Sequence, residues 1–224
     1  MDKCSIYRLG VLEYNKAYKL QRFFVEKCLN NQSNDVLLLL EHPPTITLGK
    51  SGKLENIIAD KQTLEKNKIA LHFVDRGGDV TYHGPGQLVG YPIIDLERKG
   101  ITFHEYIYSL EQTIIETLSA LGVDSHRKDN YRGVWTNNGK IASIGIRVIK
   151  KVTMHGFALN VNPKLEQFNF IIPCGLHNER MTSIYEITQN NVSLNTVMTV
   201  YEASFSKIFK CEVVYDTLMA EKES

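Results

Sequence analysis

At 224 residues, 43% hydrophobic and 23% charged, the chain has the make-up of a soluble globular protein and lies far from the low-hydrophobicity, high-charge mix of disordered chains. Its 26 Lys plus Arg against 25 Asp plus Glu leave a formal charge of +1. No bulk field therefore draws it onto nucleic acid or an anionic membrane, and an acidic partner must be met by a local patch. No repeat, low-complexity tract or Pro/Ser-rich linker interrupts the chain. At roughly 150 residues per domain, one domain over 1–224 is expected, with about the last ten residues as a flexible tail.

In chain order, residues 1–8 mix both charge signs and lack the basic start and apolar stretch of a secretory signal. Ala17, Leu20, Phe24 and Cys28 form a first helical stripe. The longest aliphatic run, 36–40, is far short of the roughly 20 residues a membrane helix needs, and it reads as part of a buried strand over 35–40. Further strands are expected at 70–74, 80–83 and 88–94. Phe103, Ile107, Leu110, Ile114, Leu118 and Leu121 mark a second helix. Strands follow at 132–135, 141–149, 156–161 and 168–172, and then a third helix carries Leu194, Val197, Tyr201, Phe205 and Ile208. Several strands succeed one another with only turns between them. That pattern points to an α+β layout, a mixed or antiparallel sheet with helices packed on it, and away from a doubly wound parallel sheet. Asn138-Gly139 suits a two-residue type I′ turn, which would set Asn137 opposite Lys140 and Trp135 opposite Ala142.

Four cysteines, Cys4, Cys28, Cys174 and Cys211, are widely spread with no CxxC pair, so free thiols in a reducing cytoplasm are expected. Three stretches could carry chemistry. The first is Arg76-Gly77-Gly78-Asp79-Val80-Thr81-Tyr82-His83-Gly84-Pro85-Gly86-Gln87, where four glycines and a proline shape a stiff loop that a ligand can approach closely. It is equally read as a structural bend around a salt-bridged Arg76, and it lacks the Gly-Lys-Ser/Thr ending of a P-loop. The second is Pro173-Cys174-Gly175-Leu176, which would present a thiol at a sheet edge after the strand over 168–172. A lone cysteine is more often an inert core residue, as Cys28 on its helical stripe would be.

The third is Lys140, which strict alternation places on the apolar row of Ala142, Ile144, Ile146 and Val148. Desolvation there would lower its pKa and let it take a proton from a thiol or an amine. Alternatively its long stem reaches solvent beside the turn. A Cys174/His177 metal pair completed by His83 or His155 lacks the second paired cluster of a zinc site. Ile141-Ala142-Ser143-Ile144-Gly145 lacks the first glycine of a serine nucleophile elbow.

Taken together, these stretches resemble the octanoyltransferase family of lipoate biosynthesis, the lipoyl(octanoyl) transferases. The resemblance runs in order through His42-Pro43-Pro44 with Thr47-Leu48-Gly49, the block from Arg76 to Ile93, and Gly139-Lys140-Ile141-Ala142-Ser143-Ile144-Gly145-Ile146-Arg147. It continues through His155-Gly156-Phe157-Ala158-Leu159-Asn160-Val161 and Pro173-Cys174-Gly175 with Thr182-Ser183. It implies a fold similar to the catalytic domain of biotin and lipoate protein ligases. It implies that Cys174 is the nucleophile, carrying an octanoyl thioester, with Lys140 lowering its pKa and acting as base. Substrate-lining segments would fall on Arg76, Gly77, Gly78, Asp79, Val80, Thr81, Tyr82 and His83, on Ser143, Ile144 and Gly145, and on Gly156, Phe157 and Ala158. Ile144, Phe157 and Val80 would line the acyl slot, the glycine-rich segments would donate to an oxyanion, and His83 would orient substrate or shuttle a proton. Asp79 falls in a variable slot and has no chemical role in this reading.

The resemblance also implies no metal and no cofactor beyond the phosphopantetheine that delivers the acyl group. Its partners would be octanoyl-acyl carrier protein and the lipoyl domains of 2-oxo-acid dehydrogenase complexes and of the glycine cleavage H protein, with no nucleic acid and no membrane, in a cytoplasmic monomer. Arg147, Lys150 and Lys151 form the nearest basic cluster for acidic partners, or else a solvated turn. An ATP-dependent lipoate or biotin ligase of similar fold, and a non-catalytic acyl-carrier binding module, are the competing readings; neither needs the Cys174/Lys140 pair.

Overall fold

The computed structural model describes residues 2–173 and 179–217. A sheet of eight strands forms its centre: β1 (Asp2–Val11), β2 (Asp35–Glu41), β6 (Gln87–Ile93), β7 (His126–Lys128), β8 (Tyr131–Thr136), β9 (Gly139–Ile149), β10 (Val152–Asn160) and β11 (Cys211–Tyr215). Their order is β11-β1-β2-β6-β10-β9-β8-β7. β1 runs parallel to both β2 and β11, while the other neighbours are antiparallel. The sheet is therefore mixed, as expected. Beside it stands a smaller sheet of β3 (Thr45–Leu48), β4 (Ala70–Phe73) and β5 (Val80–His83), in the order β4-β3-β5.

The large sheet is buried on both faces. Leu37, Leu39, Leu88, Phe157 and Leu159 meet α4 (Phe103–Ala120) and α6 (Leu194–Phe209) through Tyr106, Leu110, Ile114, Tyr201 and Phe205. Leu38, Leu40, Val89, Tyr91 and Ala158 meet α1 (Tyr14–Leu29) on the other face through Ala17, Phe24 and Cys28. The run 36–40 is fully buried because alternate residues feed opposite cores, which a doubly covered strand requires. Thr102 and Glu105 close a capping box on α4, and Ser193 accepts from the Thr196 N–H to start α6. On α1 the buried position next to the expected stripe is Gln21, with Leu20 only half-buried. Its side-chain oxygen accepts from the His155 backbone N–H at 2.8 Å, so the polar residue is there to hold β10. Short helices α2 (Lys61–Lys66), α3 (Leu96–Lys99) and α5 (Ile184–Thr188) complete the chain. Among the described residues, no helix is long and apolar enough to cross a membrane.

Two expectations about strands and their register fail. Residues 168–172 do not form a strand: Leu165–Phe170 is a 3-10 turn, and Ile171 makes only an isolated bridge to Ile57. Phe168 and Ile171, three apart, both enter the core of the small sheet, and that spacing suits a 3-10 turn better than a period of two. The segment leading to Cys174 therefore runs beside the small sheet and is not a sheet-edge strand. The β8–β9 hairpin also has a different register. Thr136 pairs with Gly139 and Trp135 with Lys140, so the turn residues are Asn137 and Asn138, and neither has a positive φ. Gly139, at φ +132°, lies against the backbone of Arg180, where a Cβ would overlap the Arg180 oxygen.

Candidate active site

The hairpin register decides where Lys140 points. Trp135 pairs with Lys140 and Val134 with Ala142, which leaves Ile141 as the extra residue of a β-bulge. Val134 and Trp135 are consecutive and face opposite ways, so their partners Ala142 and Lys140 do too. The expectation from strict alternation is thus overturned. Lys140 leaves the apolar row of Ala142, Ile144 and Ile146 and shares a face with Trp135, Ser143 and Gly145.

Lys140 is 3% exposed. Its Nζ lies over the face of the Trp135 indole, 4.8 Å from the ring centroid. Gly133 makes room for it, since a Cβ there would stand 2.9 Å from Lys140 Cε. The Lys140 backbone donates to Arg180 O at 2.8 Å and accepts from Thr182 N–H at 3.0 Å. Trp135 Nε1 donates to Glu179 at 2.8 Å, and Lys128 pairs with the same carboxylate. The chain that resumes at Glu179 is thereby clasped to the lysine and its supporting tryptophan. Cys174, Gly175 and Leu176 of the second sequence candidate lie outside the described residues, as do His177 of the metal pair and most of the expected tail.

Lys140 opens onto a pocket of about 360 Å³ that gathers the three sequence segments. Arg76, Gly77, Gly78, Asp79, Val80, Thr81 and His83 line it, with Ser143, Ile144 and Gly145 from β9 and Gly156, Phe157 and Ala158 from β10. Tyr82 is not among them. It points from the other side of β5 and packs edge-on against Phe168 at 5.4 Å, as the alternation of a strand dictates. Val80, Ile144 and Phe157 also border the pocket, but the Val80 side chain enters the core of the small sheet with Tyr82, and those of Ile144 and Phe157 enter the core beneath α4 and α6. Gly156 is required by close packing, since a Cβ there would overlap the Gly90 oxygen.

The polar lining is largely committed to the fold. Arg76 is buried and donates to Thr47 O at 2.8 Å and Thr47 Oγ1 at 2.9 Å. The Asp79 carboxylate accepts from the backbone of Val80 at 2.7 Å and of Lys53 at 3.2 Å, and from Asn56 Nδ2. It stitches the loop after β3 to β5. Gly77 N–H is spent on Ile146 O at 2.9 Å, so it is not an oxyanion donor. Of the basic cluster, Arg147 pairs with Asp75 and Lys151 with Glu97 and Asp95.

Sequence reasoning missed Tyr14, Tyr91, Asn130, Tyr131, Arg132 and His155 as lining residues. Asn130, Tyr131 and Arg132 are exposed, whereas Tyr14, Tyr91, His83 and His155 are buried. The pocket thus runs from a solvent-facing mouth to an inner end of phenols and imidazoles. Burial pushes His42 down to about 4, and His83 and His155 down to about 3, with neighbouring guanidiniums adding to the effect on the latter two. All three are neutral near pH 7. His83 Nδ1–H donates to Gln87 Oε1 at 2.8 Å, and Gln87 donates in turn to Tyr82 O and Asn160 Oδ1. Asn160 Nδ2 donates to Thr182 O, the residue clasped to Lys140. Tyr91 O–H donates to His42 Nε2 at 2.7 Å, while His42 Nδ1–H donates to Leu12 O. His155 adopts φ +60° and meets Asp75 through Nε2 at 2.7 Å. Such a backbone is uncommon for a residue other than glycine, and here the bonds to Asp75 and Gln21 hold it in place.

Residues 13–206 match the model of the lipoyl protein ligase A/B catalytic domain. The chain belongs to that family. Among curated relatives, an octanoyltransferase of Caldicellulosiruptor bescii is 44% identical over 207 residues, which is 92% of this chain and 91% of that protein. An octanoyltransferase of Solibacter usitatus is 42% identical over 214 residues, 96% of each. Among solved structures, a lipoate-protein ligase A bound with ATP superposes with a TM-score of 0.77 at 16% identity, over 97% of this chain and 90% of that one. The biotin protein ligase of Aquifex aeolicus follows at 0.56 and 15%, over 92% and 70%. These structures share the fold, a large mixed sheet flanked by helices.

Proposed function

We propose that this chain transfers an octanoyl group from octanoyl-acyl carrier protein to the target lysine of lipoyl domains, through a thioester on Cys174. Octanoyl transfer is the activity named for its relatives over nearly their whole length, and together with its lipoyl protein ligase A/B catalytic domain it supports an acyltransferase acting on lipoyl domains. In the first half-reaction the Cys174 thiolate attacks the carrier-bound thioester. A carbon–sulfur bond forms to Cys174, the bond to the pantetheine sulfur breaks, and that thiolate takes up the proton. One thioester replaces another, so the step is nearly balanced and needs no ATP. In the second half-reaction the amine of the target lysine attacks the Cys174 thioester and gives up a proton. The amide forms and the Cys174 thiolate leaves.

In this reading Lys140 takes the proton from the thiol and later from the amine. The observation that carries this reading is the buried Lys140 opening onto the pocket. Its backbone is bonded to Arg180 and Thr182, just past the Pro173-Cys174-Gly175 stretch, and the ring beneath it is bonded to Glu179. Lipoyl domains of 2-oxo-acid dehydrogenase complexes and the glycine cleavage H protein are the acceptors in this reading. The acyl group itself is the only cargo; no metal or further cofactor enters either half-reaction.

The test is octanoyl transfer from carrier protein to a lipoyl domain in the absence of ATP. Transfer by the native chain and none by Cys174→Ala supports the thioester route. Dependence on ATP, or full activity of Cys174→Ala, would replace it with an adenylating ligase.

A further inference from the structure

Tyr14, the first residue of α1, occupies a place that the transfer chemistry does not explain. It lines the inner end of the pocket, and it also lines a second cavity of about 700 Å³ formed with Leu48, Gly52, His72 and Phe73. Among the described residues, it is the one that the two cavities share. Its ring is stacked on His72, on the side of the second cavity, with centroids 5.2 Å apart and planes at 28°. His83, on the pocket side, is 6.5 Å away at 20°. His42 packs against it at 5.3 Å. At this point the wall between the two spaces is the Tyr14 ring, backed by His72 on one side and His83 on the other, and Tyr14 is buried.

We propose that Tyr14 sets the acyl-chain length limit of this enzyme. A straight acyl chain entering past Lys140 runs between the β5, β9 and β10 segments that line the pocket and ends against the Tyr14 ring. Removing the ring takes away the side chain that borders both spaces and lets a longer chain extend toward the second cavity beside His72. This rests on the pocket being the acyl site. A pocket wall of this kind is selective because a misfit of even one methylene costs roughly tenfold or more in rate.

The experiment is competitive acylation of the full chain by carrier proteins bearing octanoyl, decanoyl, dodecanoyl and tetradecanoyl groups, read as the distribution of adducts by intact mass. Tyr14→Ala and Tyr14→Leu raise the dodecanoyl-to-octanoyl ratio by about tenfold or more. Leucine keeps the start of α1 packed where alanine would leave it loose. Tyr14→Trp lowers the decanoyl-to-octanoyl ratio. An unchanged distribution in variants that form adducts overturns the partition. A shift of the same size in Tyr14→Phe, which keeps the ring, would assign the limit to the hydroxyl beside His155 Nδ1, 3.5 Å away, and would also overturn it. Absence of any acyl adduct on the unaltered chain is a different failure, since it removes the acyl-enzyme reading itself.

Discussion

Gly133→Ala tests whether the β-bulge aims Lys140, because it changes the chemistry of none of the proposed reacting groups. Gly133 sits at φ +132°, where an L-residue is strained, and a new Cβ would stand 2.5 Å from Ala142 O and 2.9 Å from Lys140 Cε. The first neighbour is backbone and cannot yield cheaply; the second is the end of a flexible stem and can. The backbone strain costs about 1–3 kcal/mol. For a chain of this size that lowers Tm by roughly 2–12 °C, at about 2–4 °C per kcal/mol. The displaced Lys140 matters more to rate, since a misplacement of about 1 Å can cost on the order of a hundredfold. Calorimetry and a single-turnover transfer assay on the same preparation separate the two effects. The expected result is a folded protein with a modestly lower Tm and transfer reduced roughly a hundredfold. Unchanged Tm together with an unchanged transfer rate would refute the placement of Lys140 beside Gly133.

Three further outcomes follow from the site. Lys140→Ala raises the pH midpoint of Cys174 alkylation by about one unit or more; Cys4, Cys28 and Cys211 are each at most 1% exposed, so Cys174 is the thiol read out, and an unchanged profile contradicts the pairing. His42, His83 and His155 are held at about 4, 3 and 3 in the folded chain against 6.5 for a free imidazole. The unfolded state therefore binds more protons below pH 6.5, and stability is lost as pH falls from there toward 3, at about 1 kcal/mol per pH unit for each histidine. Urea midpoints at pH 7 and pH 5 check this, and equal values would show that the imidazoles are not held neutral. Asp79→Ala removes the acceptor for Val80 N–H, Lys53 N–H and Asn56 Nδ2, so about 1–3 kcal/mol of stability is lost. An unchanged melting curve would place Asp79 outside the loop's support.

The sequence displays the pocket because its three wall segments combine glycines with β-branched and aromatic residues, and close backbone approach leaves few other choices there. Gly156, which packs on the Gly90 oxygen, is the plain case. The bulge is another matter. One extra residue at Ile141 reverses the facing of Lys140, and no property of Ile141 itself announces it. Leu165, Phe168 and Ile171 show the same limit, since a short apolar run reads as a strand until its spacing of three is set against the small core it enters. Tyr14 and Tyr91 escape notice because each also fits its own element, a helix start and a central strand; only the fold brings them to one inner wall. β1 and β11 were missed as strands at the chain ends, where pairing with each other and with β2 defines them more than alternation does.

The central claim is a thioester on Cys174. Incubating the chain with octanoyl-acyl carrier protein, and locating the added mass by peptide mapping, tests it directly. One octanoyl group is expected on Cys174, disappearing on addition of a lipoyl domain and reappearing there as an amide on its lysine. An octanoyl group on any other residue, or transfer to the lipoyl domain by a chain that never carries one, would contradict it.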